Sequence, residues 1–345
     1  MFQRFAKQCY MALVVELGVA DLAATRFAIS PLCETIKALL LLAQPAPSEV
    51  NLAWVRWSRV QLDSEPLRVP TVWPLVVNGL GVYPEFLVPA PLGRHPAFED
   101  ELARLASTPD TSVRASLRRV FGDAVSTWPD SAGDLFRRPA ETLARITAEL
   151  AGFHRRLIAP YWERINTVLE ADIGYRTGLL ASGGIRSLFG DMHPDLHWSA
   201  GILTLADADT GSSSVRVQLG PDGLVIIPSV FNWPVVSISR ATSTQTVLVY
   251  PARGSATVWY GTEHQDASGT VAENLLGSSR ARLLAALRSP ATTTGLARQL
   301  GVTPGAVSQQ LAFLHRGGLI DRRRSGRTVL YQVTELGLSL LVRVR

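Results

Sequence analysis

The stretch Thr303-Pro-Gly-Ala-Val-Ser-Gln-Gln-Leu-Ala-Phe-Leu-His-Arg-Gly-Gly-Leu-Ile320 decides the fold of the C-terminal part of this chain. A threonine followed by a proline supplies an N-cap and a first helical residue, and Gly317-Gly318 supplies a stop. A helix is therefore predicted between them. At about 100° per residue, Val307, Leu311 and Leu314 fall on one side and must face a core. Gly305, Gln309, Ala312 and Arg316 fall on the other side, with Ala306 and Ser308 on the flanks. Gln310 lies nearer the core side.

The flanking sequence supplies the rest of a module. Upstream, Leu276, Leu283, Leu284 and Leu287 form an apolar helical stripe that Pro290 ends. Thr292 or Thr293 caps a short second helix through Leu296, Ala297 and Leu300, with Gly301 at its C′ position. A short helix, a glycine-containing turn and a third helix form a helix-turn-helix. Downstream, Leu319–Arg323 reads as a strand, Arg324-Ser-Gly-Arg327 as a turn and Thr328–Val333 as the returning strand, which together make a wing. Thr334–Val344 is expected to close the module, whose predicted span is 271–345.

Charge gives this module a partner. From Ser278 onward there are eleven arginines against two carboxylates, Asp321 and Glu335, an excess of +9. The whole chain carries +5, so the remainder carries −4. A basic module on a mildly acidic body points to a polyanion, and double-stranded DNA is the first candidate. Thr303, Gly305 and Ala306 would bring the first turn close into a major groove. Gln309 has the amide that pairs bidentately with adenine, and Ser308 suits a base edge or a phosphate. Arg316 and the wing residues Arg322, Arg323, Arg324 and Arg327 suit phosphates or a narrow minor groove. A charge run alone is usually a solvated surface; beside a helix-turn-helix it reads as a backbone contact.

The preceding 11–270 is expected to be a regulatory or effector domain, helical over 20–190 and β-rich over 197–260, so the predicted class is α+β with a small antiparallel section. Residues 1–10 fit no pattern, and Met11 is a candidate alternative start. Ala12–Leu17 alternates as a strand. Ser30-Pro31 opens a helix through Leu32, Ile36, Leu39 and Leu40. Further helices are predicted at Phe98–Ala106, Ser112–Phe121, Pro139–Leu157 and Tyr161–Leu180. Strands are predicted at Gly201–Leu205, Val215–Leu219, Leu224–Ile227 and Thr246–Tyr250. Gly220-Pro-Asp-Gly223 is a turn signal that predicts a hairpin between the second and third of these.

Other chemistry is thinly represented. Two cysteines, Cys9 and Cys33, exclude a disulfide framework and an all-cysteine zinc site. No apolar run approaches the roughly 18–20 residues of a membrane span, and Glu16 interrupts the only signal-like stretch. A cytoplasmic protein with no membrane contact is expected. His193-Pro-Asp-Leu-His197 has two imidazoles four apart, but Pro194 disfavours the helix they would need, and a surface connection is the simpler reading. Asp207-Ala-Asp-Thr-Gly211 lacks the acidic twelfth residue of a calcium loop, which here is Gln218. Ser182-Gly183-Gly184 reads equally as an anion nest or as a glycine break after a helix. No Walker, G-x-G-x-x-G or G-x-S-x-G pattern occurs. No metal, no cofactor and no catalytic residue is expected. All eight tryptophans precede the basic module. They serve either ordinary packing or an aromatic-lined pocket for a small apolar effector in the N-terminal domain.

The Thr303–Ile320 stretch with its basic wing resembles the DNA-binding domain of ArsR/SmtB-type transcriptional regulators over about 65 residues. Pro228-Ser-Val-Phe-Asn-Trp-Pro234 and Val249-Tyr-Pro-Ala-Arg-Gly254 resemble a long, poorly characterised domain that precedes this winged helix in some bacterial regulators. The resemblance implies a homodimeric repressor that reads an inverted repeat and is released by an effector. Metal-sensing members carry cysteines in the recognition-helix region. None is present here, so no metal response is carried over. The alternative reading is an enzyme whose N-terminal catalytic domain is fused to a DNA-targeting module; a winged helix used for protein contact is a third, disfavoured by the positive excess.

Overall fold

The computed structural model describes residues 12–341 except 45–46, 206–213, 218, 220–222, 240–244, 260–274, 288–290, 301 and 326–327. For 214–215, 278, 298–299, 323–325 and 328 it describes the backbone alone. The chain divides into two compact units, Met1–Val258 and Trp259–Arg345.

The first unit opens with β1 (Ala12–Glu16), a short α1 (Val19–Ala24) and β2 (Arg26–Phe27). Helix α2 (Pro31–Leu42) begins as the sequence predicts: Ser30 Oγ accepts from the Cys33 amide at 2.9 Å, and Pro31 sits at the first position. Apolar on nearly every face, α2 is buried along most of its length, as such a helix must be. Helices α3 (Leu52–Ser64), α4 (Trp73–Val76), α5 (Phe98–Ala106), α6 (Asp110–Phe121), α7 (Asp130–Arg137) and α8 (Pro139–Phe153) follow. A single π turn, His154–Ile158, separates α8 from a short connection to α9 (Trp162–Gly190).

Helix α9 runs past the expected stop at Leu180. Gly184, at φ 68°, breaks its regularity without ending it, and the chain resumes helix to Gly190. This favours the glycine-break reading of Ser182–Gly184, since the Ser182 hydroxyl is spent on the Gly178 carbonyl of its own helix.

The β region is mixed rather than antiparallel. In one sheet the order is β3 (Leu196–Ser199), β4 (Ile202–Leu205), β1, β5 (Ser214–Val217), with β1 antiparallel to β4 and parallel to β5. In the other it is β2, β6 (Leu224–Ser229), β8 (Thr246–Pro251), β7 (Ser237–Ser239), with β6 parallel to both β2 and β8. The hairpin expected across Gly220–Gly223 therefore does not form, because β5 and β6 belong to different sheets. Strands β6 and β8 are buried at every position, the pattern of an interior parallel pair. Strand β5 alternates polar and apolar residues and takes an edge beside β1, where Arg216 pairs with Glu16.

One apolar core joins the two sheets to the end of α9, through Val15, Phe189, Leu203, Ile226, Leu248 and Tyr250. Inside this unit lie ionisable side chains that packing alone does not require. Asp172 and Arg176, one turn apart on α9, are closed to water. Glu34, buried in α2, accepts from the Val230 amide at 3.1 Å, while its other oxygen has no partner.

In the second unit, the sequence-derived elements form: α10 (Ser278–Ala286), α11 (Thr293–Leu300), α12 (Pro304–Arg316), β9 (Ile320–Ser325), β10 (Thr328–Val333) and α13 (Glu335–Leu340). Together with the first unit they make an α+β protein.

Candidate nucleic-acid interface

Helices α10, α11 and α12 pack on Leu283, Leu284, Leu287 and Leu296, with Val307, Leu311 and Leu314 from α12 inserted among them. Those three are at most 2% exposed, so the face assigned by helical arithmetic is the buried one. Each later helix is capped by the threonine before it. Thr292 Oγ1 accepts from the Gly295 amide at 3.0 Å and Thr303 Oγ1 from the Ala306 amide at 3.3 Å. The cap on α12 fixes where its first turn begins, and so which side chains point outward.

Gly305, Ala306, Ser308, Gln309 and Arg316 are exposed, as is the capping Thr303. A Cβ built at Gly305 meets nothing within 4 Å, so the fold does not demand glycine there. Gln310 is half-buried and is already engaged: its Oε1 accepts from Arg280 Nε at 2.8 Å.

The wing is a regular antiparallel pair running from Thr328↔Ser325 to Val333↔Ile320, with Arg322 opposite Tyr331 and Arg324 opposite Val329. Ala291 adds a third rung by exchanging both backbone hydrogen bonds with Tyr331, at 3.0 and 2.9 Å. The root is held by Thr334. Its amide donates to the Leu319 carbonyl at 3.0 Å, its hydroxyl donates to Gly318 O at 2.7 Å, and the same oxygen accepts from the Gly337 amide at 3.1 Å. Arg322 is exposed. The backbones of Arg323 and Arg324 lie in β9, and Arg327 lies outside the described residues.

Sequence reasoning missed Arg280. Its guanidinium lies 4.1 Å from the centre of the Phe313 ring, and Phe313 is 40% exposed on α12. The available signal was an arginine beside the Leu283–Leu284–Leu287 stripe of α10, one of several in a basic module and undistinguished by spacing.

In the first unit, Trp54 packs on Phe231, Trp57 on Tyr161, Trp128 on Phe121 and Phe136, and Trp198 on Phe189. Among the described residues, a cleft of about 530 Å³ lies beside Arg94, His95, Glu101 and Arg104, and one of about 340 Å³ beside Phe98, Leu102 and His154; neither of these is lined by tryptophan. His193 does not pair with His197 around a metal: His197 lies in β3, and His193 Nε2 sits 2.6 Å from the Pro234 carbonyl. Among the described residues there is no group of three or more histidines, cysteines or carboxylates that could hold a metal. Asp207–Gly211 lies outside the described residues. Among the described residues no helix is long and apolar enough to cross a membrane.

Three helices, the last exposing a polar face, followed by a two-stranded wing and a closing helix, define a winged helix-turn-helix, a DNA-binding module. Residues 277–322 match the family described as bacterial regulatory protein, arsR family, and residues 127–256 match a family of unknown function, DUF5937. The chain thus carries an ArsR-type helix-turn-helix behind a poorly characterised N-terminal domain, and it is in class a DNA-binding transcriptional regulator. Comparison with curated proteins and with solved structures gives no match.

Proposed function

We propose that the protein is a homodimeric cytoplasmic repressor that reads an inverted repeat and is released by a small molecule bound to its N-terminal domain. The observation that carries the DNA-reading part is the split of α12. Val307, Leu311 and Leu314 are buried, while Gly305, Ala306, Ser308, Gln309 and Arg316 stand exposed opposite or beside them. In this reading Gln309 and Ser308 address base edges. Thr303, Gly305 and Ala306 bring the first turn close, and Arg316 with the wing residues Arg322, Arg323, Arg324 and Arg327 holds register on the backbone. Two-fold symmetry then places two such helices in successive major grooves. The first and last helices of the module, or the N-terminal domain, provide the dimer contact.

The test is binding of the full chain to the DNA upstream of its own coding sequence and to a scrambled duplex, at several salt concentrations. Specific binding at moderate salt, with one dimer per palindrome, is expected. Absence of binding to either duplex would overturn the reading and favour an enzymatic N-terminal domain or a winged helix used for protein contact.

A further inference from the structure

We infer that Arg280, on α10 rather than on the recognition helix or the wing, is a DNA-phosphate ligand held ready beside α12. The inference rests on the DNA-reading role proposed for α12. Phe313 is a large aromatic residue, 40% exposed, on a helix whose other large apolar residues, Val307, Leu311 and Leu314, are turned inward. Core packing does not account for it. Arg280 does: the guanidinium lies over the Phe313 ring at 4.1 Å, and its Nε donates to Gln310 Oε1 at 2.8 Å. The Leu276 carbonyl, at 3.5 Å from Nη1, completes the support. A flexible side chain is thereby fixed from the ring side and from one edge, which lowers the entropy lost when its free donors bind an anion.

The helical wheel decides where those donors stand. Phe313 is four residues after Gln309 and three before Arg316, so it is a surface neighbour of both. Gly305, Gln309, Ala312 and Arg316 are centred opposite the buried stripe; Phe313 borders that sector and Gln310 lies beyond it toward the core. Arg280 therefore covers the flank of the face that would enter the groove. Contacts at that flank of a groove-bound helix go to the sugar-phosphate strand bordering the groove, not to base edges. The chemistry fits: a planar guanidinium with donors to spare matches two phosphate oxygens. Gln310 and Phe313 are then positioning residues that act through Arg280.

Salt dependence separates this role from simple packing. One phosphate contact contributes about 0.9 to the slope of log affinity against log salt, so losing it lowers the salt sensitivity between 50 and 200 mM by roughly 3.5-fold. In the full chain, Arg280→Ala is expected to weaken binding to the upstream duplex and to a scrambled duplex alike, and to reduce the slope by about one. Arg280→Lys keeps the charge and is expected to restore most of the slope. Phe313→Leu keeps an apolar contact with the helix but removes the platform, and should weaken binding with base preference unchanged. If wild-type protein binds DNA and a folded Arg280→Ala variant keeps the wild-type slope, the assignment of Arg280 is wrong and the DNA-reading role of α12 stands. If Arg280→Ala does not fold, Arg280→Lys and Arg280→Gln decide: equal slopes for the two overturn the inference. If the wild-type chain binds neither duplex, the DNA reading itself falls.

Discussion

Tyr250, on β8, donates its hydroxyl to Asp172 Oδ2 on α9 at 2.5 Å, and neither side chain is open to solvent. The same carboxylate accepts from the Arg253 amide at 3.1 Å and from Arg176 Nε at 3.4 Å, so a helix, a strand and the loop after it converge on one buried charge. Burial pushes the Tyr250 phenol well above its ordinary range, which keeps it a donor. Asp172→Ala would leave Arg176 closed to water, over the Tyr250 ring and with the half-exposed Asp191 at 3.5 Å in place of a buried carboxylate. Breaking a buried pair in this way costs about 3–5 kcal/mol, whereas Tyr250→Phe removes one hydrogen bond to the charge and should cost less, about 1.5–3 kcal/mol. Urea unfolding of the two variants checks the order; equal losses would show that the carboxylate is not the hub.

Stability of the first unit should depend on pH through three of its own ionisable groups, Glu34, Glu101 and His154. Desolvation raises Glu34 from 4.5 to about 8, opposed by its hydrogen bonds from Ser229 and Val230, and raises Glu101 from 4.5 to about 7. The folded state thus binds these protons more tightly than the unfolded chain. Their stabilisation is fully present below about pH 4.5 and is lost as pH rises through 7 to 8. His154 behaves oppositely: burial lowers it from 6.5 to about 4, so its contribution is present above 6.5 and is lost as pH falls toward 4. Glu34→Gln is expected to flatten the alkaline limb of a melting-temperature profile and leave the acidic limb alone. An unchanged alkaline limb would remove Glu34 as its cause.

Gln309 is exposed on α12, where a bidentate contact with adenine would carry base discrimination. Gln309→Ala should relax preference at one position in each half-site, at about 1–3 kcal/mol, with little effect on binding to a scrambled duplex. Selection from a randomised site library reads this directly, and retained preference at every position would take Gln309 out of the groove.

The wing arginines should act on affinity without acting on sequence choice. Arg324→Ala combined with Arg327→Ala is expected to weaken binding to all duplexes and to lower the salt slope by about two. An unaltered slope would show that neither is a phosphate ligand, and a change in preference for narrow A·T minor grooves would instead place them there.

Two glycines separate folding from binding. A Cβ at Gly337 would stand 2.2 Å from the Leu319 carbonyl oxygen and 2.6 Å from Val333 Cγ2, so Gly337→Ala must displace backbone at the root of the wing. A cost of about 1–3 kcal/mol to the module is expected, read as a lower melting temperature. At Gly305 the same Cβ meets open space, and Gly305→Ala should stabilise α12 by about 0.5–1 kcal/mol while weakening DNA binding. Stronger binding by that variant would show that the first turn does not approach the DNA closely.

Local signals were legible wherever a residue acts on its own neighbours. Ser30, Thr292 and Thr303 cap the helices that follow them, Phe98–Ala106 is a helix to the residue, and the inward face of α12 follows from spacing alone. Gly220-Pro-Asp-Gly223 signals a turn, but pairing is a matter of partner: β6, buried at every position, is most stable between β2 and β8, and β5 at the edge beside β1. Gly184 breaks helical geometry, yet Leu188 and Phe189 beyond it are buried in the core, and that burial carries α9 on to Gly190. Helices α3 and α7 have no strong cap hydrogen bond to announce them.

The winged helix, its polar face and its positive charge are written locally in the chain, because caps, helical spacing and turn residues act over a few positions. Which strands pair, that Asp172, Arg176 and Tyr250 share one buried site, and that Arg280 lies on Phe313 emerge only once the chain is folded. Those relations join residues far apart in the chain, through desolvation and packing between elements, and no local pattern encodes which distant partner a buried group will meet.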